Sequence, residues 1–158
     1  PRKGYIELLA ALSVLHYSNL ILIVAGQSRP EKPIVTRFPV YYIPPVQDDV
    51  SLSLMYNIAN VVVVPSIQDN LSNTVIEAMA CGVPVVAFNI GGNADMIDHK
   101  ENGYLAQSQD KNDFADGIAW SLNNEYPILS KNAREKVIRT FSHSVVVKRY
   151  VELYRAIL

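Results

Sequence analysis

Three short runs of apolar, mostly β-branched residues set the frame: Leu20 to Val24, Val61 to Val64 and Val83 to Phe88. None of them alternates with polar residues. A strand solvated on one face alternates, whereas a strand covered on both faces of a parallel sheet reads as a continuous apolar run. Parallel strands need long crossovers, and helical spacing fills the stretches between the runs. Tyr5 to Tyr17 repeats Leu8, Leu12 and Leu15 on one face. Leu52 to Ala59 carries Leu52, Met55, Tyr56 and Ala59, and Thr74 to Ala80 follows the second run. In Lys111 to Leu122 the residues Phe114, Ile118 and Leu122 recur every fourth position, with Asp110 as the expected N-cap. Weaker strands are expected at Tyr41 to Ile43, stopped by Pro44-Pro45, and at Gly103 to Ala106. The chain closes on two helices, about Ile128 to Arg139 and Val145 to Ile157, the second capped by Ser144. This alternation implies an α/β fold, a doubly wound, Rossmann-like parallel sheet with helices on both faces. The length of 158 residues fits one domain spanning 1–158.

Composition removes several classes of function. Apolar residues make up 49%, which excludes a disordered chain. The net charge of −1 lacks the basic footprint of a nucleic-acid binder. The single cysteine, Cys81, permits no internal disulfide and fits a reducing, cytoplasmic setting; before Gly82 it reads as a packing residue. No apolar run reaches the length of a membrane span. His16, His99 and His143 have no metal-ligand spacing, and no metal is expected. Nucleophile-elbow, Walker-type and dinucleotide-binding glycine motifs are absent. The start at Pro1, with Arg2-Lys3-Gly4 directly after it, reads as a piece of a longer chain whose first strand is truncated.

Ligands of open parallel sheets bind beyond the carboxyl ends of the strands. The richest such junction is Pro65-Ser66-Ile67-Gln68-Asp69-Asn70-Leu71-Ser72-Asn73, which leads into a helix with Glu77. Small polar residues before a helix N-terminus expose backbone N–H groups, a setting suited to a diphosphate. Asp69 and Glu77 would repel an anion they faced. Beside it they would accept from neutral hydroxyls, the polarity pattern of a sugar nucleotide. Blander readings compete. Thr74-Val75-Ile76-Glu77 fits a capping box, Asp69 fits a turn, Gly91-Gly92 fits a plain turn after a strand, and Lys3-Gly4 fits a solvated terminus.

These residues resemble a known family. Pro65-Ser66-Ile67-Gln68-Asp69, Glu77-Ala78-Met79-Ala80-Cys81-Gly82-Val83-Pro84-Val85-Val86, Gly91-Gly92 and Asn102-Gly103-Tyr104-Leu105 are similar to the C-terminal, donor-binding domain of group 1 (family 4) retaining glycosyltransferases of the GT-B fold. The resemblance covers essentially the whole chain, from Lys3-Gly4 to the closing helix. It implies transfer of a sugar from a nucleotide-diphosphate sugar to an acceptor with retention, in bacterial polysaccharide or glycolipid synthesis. The E-x7-E motif falls on Asp69, for the donor sugar, and Glu77, for the ribose hydroxyls. Lys3 resembles the lysine facing the leaving diphosphate. Backbone amides of Asn70, Leu71, Ser72, Asn73 and Thr74 would cradle that diphosphate, and the base would lie near Tyr42, Pro44 and Pro45. The resemblance implies no cofactor beyond the donor substrate, and an acceptor site mainly in an N-terminal domain outside this chain, so that the chain alone is inactive. Contact with the inner membrane face belongs to the full-length protein. Two departures stand out. Asp69 replaces the usual Glu, which draws the carboxylate back by about 1.5 Å, one C–C bond. Asn70-Leu71-Ser72 replaces a glycine-rich stretch. A related sugar-nucleotide epimerase and a non-catalytic nucleotide-binding module remain as alternatives.

Overall fold

Apolar runs become strands only where a neighbour completes their hydrogen bonds, and that requirement trims them. The computed structural model describes residues 2–157. Along it lie α1 (Tyr5–Val14), β1 (Leu22–Ala25), β2 (Val40–Ile43), α2 (Asp49–Asn57), β3 (Val62–Val64), α3 (Asn73–Ala80), β4 (Val85–Phe88), α4 (Asn93–Met96), β5 (Gly103–Ala106), α5 (Lys111–Asn123), α6 (Tyr126–Phe141) and α7 (His143–Ile157). The first run starts pairing two residues late, at Leu22, whose amide donates to the Pro39 carbonyl.

All the strand pairs are parallel. β1 pairs with β2 in the register Leu22 to Val40, and β3, β4 and β5 form a three-stranded sheet with Val62 opposite Val85 and Val85 opposite Gly103. No hydrogen bonds join β1 to β3 among the described residues. A cavity of about 670 Å³ lies between them, walled by Ile21, Leu22 and Ile23 on one side and Val61, Val62 and Val63 on the other.

Period-two alternation along β4 sorts its side chains between two cores. Val86 and Phe88 join Ala11, Leu12, Leu15, Phe114 and Ile118 from α1 and α5. Val85 and Ala87 join Tyr56, Val75, Met79, Ala133 and Val137 from α2, α3 and α6. Helices therefore cover both faces, the doubly wound arrangement expected. The reading of three strands buried on both faces holds only for β4, which is buried at every position. β1 leaves Ile23 and Ala25 exposed and β3 is half-buried, and each has the cavity, in place of a second strand, along one edge.

Helix ends follow local chemistry. Asp110 caps α5, its Oδ1 accepting from the amides of Asn112 at 2.8 Å and Asp113 at 3.2 Å. Pro127 sits in the first turn of α6, where its missing N–H costs nothing. The last helix begins at His143, so Ser144, expected as its cap, lies inside the first turn. Val145 and Val146 are half-buried where α7 meets α6, and that packing offsets their modest helix propensity. Among the described residues no helix is long and apolar enough to cross a membrane.

Candidate functional site

The loop between β3 and α3 is held from two sides by glycine contacts. Gly4, with φ of 68°, lies so close to Pro65 that a β-carbon there would stand 1.6 Å from the Pro65 carbonyl oxygen. Gly91, with φ of 47°, leaves room for only a hydrogen beside the Asp69 carbonyl, 2.0 Å from where a β-carbon would be. Both positions need the left-handed backbone that glycine adopts freely. The amide of Gly92 donates to the Asn70 carbonyl at 2.7 Å. Buried Asn93 steadies the same turn by donating from Nδ2 to the Phe88 carbonyl at 2.9 Å. The Gly91-Gly92 pair is thus a buttress of the Asp69-Asn70 backbone rather than a plain turn.

The segment at Lys3 is solvated but anchored. The Arg2 carbonyl accepts from the Ile67 amide at 3.0 Å, and Lys3 Nζ lies 3.0 Å from Asp69 Oδ2. Two residues 66 positions apart in sequence therefore share one end of the site. The Lys3 side chain is 68% exposed and that of Asp69 21% exposed. An ion pair this open contributes about 0–1 kcal/mol.

At the other end, α3 begins at Asn73 with Ser72 as N-cap, and the Ser72 side chain caps no amide. The Val75 amide donates to the Ser72 carbonyl at 3.1 Å, which leaves the Asn73 and Thr74 N–H groups without a side-chain cap at the positive end of the helix dipole. α3 starts one residue earlier than expected, at Asn73, so Glu77 lies just past a first turn that contains no acid. It takes no part in a capping box, because the N-cap is Ser72 and not Thr74. Its Oε2 instead accepts from the Tyr56 hydroxyl of α2 at 2.8 Å. Burial, followed by that bond to Glu77, pushes the Tyr56 phenol well above its usual range. Sequence reading took Tyr56 for a core residue. The signal that marks it is general: a buried tyrosine hydroxyl seeks an acceptor, and Glu77 is the acid on the helix packed beside it.

The remaining expected residues divide. Pro45 lines the cavity together with Gly26, Tyr56 and Thr74. The Tyr42 hydroxyl is engaged in accepting from the Ile34 amide at 2.8 Å, which ties the loop between β1 and β2 to β2. Pro44 follows β2 directly. Cys81 caps the C-terminus of α3, and burial raises its thiol above the usual value, consistent with a packing role.

Fold and loop geometry together define a Rossmann-like domain in which the helix α3 starts, without a side-chain cap, beyond the carboxyl end of β3. The family described as "Glycosyl transferases group 1" matches residues 1–140, and the chain belongs to that family. It is 37% identical over 123 residues to a D-inositol 3-phosphate glycosyltransferase of Saccharomonospora viridis, a match covering 77% of this chain and 27% of the relative. Among solved structures, sucrose-phosphate synthase from Thermosynechococcus elongatus superposes with a TM-score of 0.75 at 30% identity, over 99% of this chain and 42% of that one. HepE of Anabaena, crystallised with UDP and glucose, superposes with a TM-score of 0.78 over 99% of this chain and 46% of that one. At 18% identity that likeness speaks for the fold alone. The chain spans less than half the length of each.

Proposed function

We propose that this chain is the donor-binding half of a retaining glycosyltransferase that moves a sugar from a nucleotide-diphosphate sugar to a saccharide or glycolipid acceptor. The observation that carries the reading is the loop from β3 to α3, in which Asp69 pairs with Lys3 at 3.0 Å ahead of the uncapped start of a helix that carries Glu77. Each group has a distinct task in it. Lys3 and the first-turn amides of α3, with the backbone of Asn70 to Thr74, stabilise the negative charge that grows on the departing diphosphate. Asp69 accepts from hydroxyls of the donor sugar, and Glu77 accepts from the ribose. The base lies toward Tyr42, Pro44 and Pro45. Sugar transfer itself takes place in the full-length protein, where a second domain supplies the acceptor. Membership of the group 1 glycosyl transferase family supports sugar transfer.

Titration of UDP, ADP, GDP and their glucose conjugates against backbone amide NMR of this chain tests the reading. Shifts are expected across Asp69 to Glu77 with at least one of them, and no shift with any of them overturns it. Glu77→Ala is expected to weaken the responding nucleotide by about 1.5–3 kcal/mol, the worth of a hydrogen bond to a charged group.

A further inference from the structure

Glu77 has three rotatable side-chain bonds, yet its carboxylate is held from one side only. Tyr56 Oη donates to Oε2 at 2.8 Å, and Glu77 makes no other side-chain hydrogen bond among the described residues. Tyr56 is itself buried, with 7% of its surface exposed, in one core cluster with Val75, Met79 and Val85. The hydroxyl thus ties a half-buried carboxylate to the edge of that core.

A carboxylate offers about four lone-pair sites in one plane. The Tyr56 hydroxyl occupies one of them on Oε2. The other sites, on Oε1 and on the far side of Oε2, accept no hydrogen bond among the described residues, and the Tyr56 bond restricts the rotation of the carboxylate. Two acceptors in one plane match the geometry of two adjacent hydroxyls, such as the 2′ and 3′ hydroxyls of a ribose. A carboxylate free to rotate would have to be ordered by the ligand at a cost in affinity.

We propose that Tyr56 is a positioning residue that orients Glu77 for a vicinal diol, and so sets the preference for ribonucleotides over deoxynucleotides. The proposal rests on the reading of Glu77 as the ribose acceptor. It adds that the selectivity is built by a residue on α2 that has no need to touch the ligand.

Tyr56→Phe removes the hydroxyl and keeps the ring. The probes are the nucleoside diphosphate that binds the parent chain best among UDP, ADP and GDP, and its 2′,3′-dideoxy analogue, measured by isothermal titration calorimetry. The parent is expected to prefer the ribose form. In Tyr56→Phe the affinity for the ribose form is expected to fall by about tenfold while that for the dideoxy form stays the same, so that the preference collapses. Equal losses for both probes, or no loss for either, overturn the proposal. A ribose preference that survives in Glu77→Ala, or the failure of all three diphosphates to bind, removes the reading of Glu77 beneath it. A preference lost in Glu77→Ala but kept in Tyr56→Phe overturns the proposal alone. Should Tyr56→Phe fail to fold, the Tyr56 ring carbon resonances of the parent decide. They are expected to shift with the ribose probe and not with the dideoxy one, and an equal response to both overturns the proposal.

Discussion

Alanine at Gly91 and alanine at Gly26 separate two costs that a glycine can hide. Both residues have positive φ, 47° and 79°. A β-carbon at Gly26 meets nothing within 4 Å, whereas one at Gly91 meets the Asp69 carbonyl at 2.0 Å. Gly26→Ala is expected to lower stability by about 1–2 kcal/mol, the left-handed penalty alone. Gly91→Ala is expected to cost at least about 1–3 kcal/mol more, the price of storing or relieving strain at this loop. It should also displace the amide resonances of Asp69 and Asn70, a change that urea unfolding with amide NMR detects together with the stability. Most of the residues gathered at the loop mouth are legible from local order, because Asp69, Glu77 and the polar stretch between them are neighbours in the chain. What stays hidden depends on distant contacts. Nothing next to Gly91-Gly92 in sequence reveals that they brace Asp69, and nothing next to Tyr56 reveals that its hydroxyl reaches the following helix.

At the scale of the element, α2 carries its own pH sensor. Asp48 caps the helix by accepting from the Ser51 amide at 2.8 Å. That backbone bond is the main cause holding the Asp48 carboxyl below its usual range. Because the folded value lies below the unfolded one, the contribution of the cap is complete above the ordinary carboxylate range. It is lost as the pH falls through the lowered folded value. Exchange of the Ser51 amide, followed by NMR on a descending pH series, is therefore expected to stay slow relative to the uncapped Asp48→Ala until the solution is more acidic than an ordinary aspartate titration. Equal exchange in the two proteins at neutral pH would contradict the cap. Element identity is the most legible level of this sequence: helical spacing, proline stops and the Asp110 cap all find their counterparts in α1, β2 and α5. Burial is less legible. The runs at β1, β3 and β4 look alike on paper because residue type reports hydrophobicity and not neighbours. Only β4 has a hydrogen-bonded strand on each side.

Across the whole molecule, strength is distributed unevenly. The three-stranded sheet joins β4, buried at every position, to helices on both faces, with Phe88 and Phe114 ring centres 4.6 Å apart. The two-stranded sheet is tied to it through side chains such as Leu22 and Phe38 in the shared core, with no strand ladder between. Backbone amide exchange is expected to divide accordingly. Val86 and Ala87 should exchange only through global unfolding, and Val24 and Tyr42 through a smaller opening that leaves the rest intact. Equal protection at all four amides would show a single cooperative unit. The cavity between β1 and β3 is in this sense a seam between two foldons. On the proposed reading of the site, the seam runs through the ligand as well: the donor sugar, the diphosphate and the ribose rest on the stiff part, around Asp69, Lys3 and Glu77, and the base on the part that opens. A nucleotide spanning both would have to close that opening as it binds. Part of its affinity would then be spent on ordering β1 and β2, and protection of Val24 and Tyr42 would rise with occupancy even though neither residue touches the phosphates.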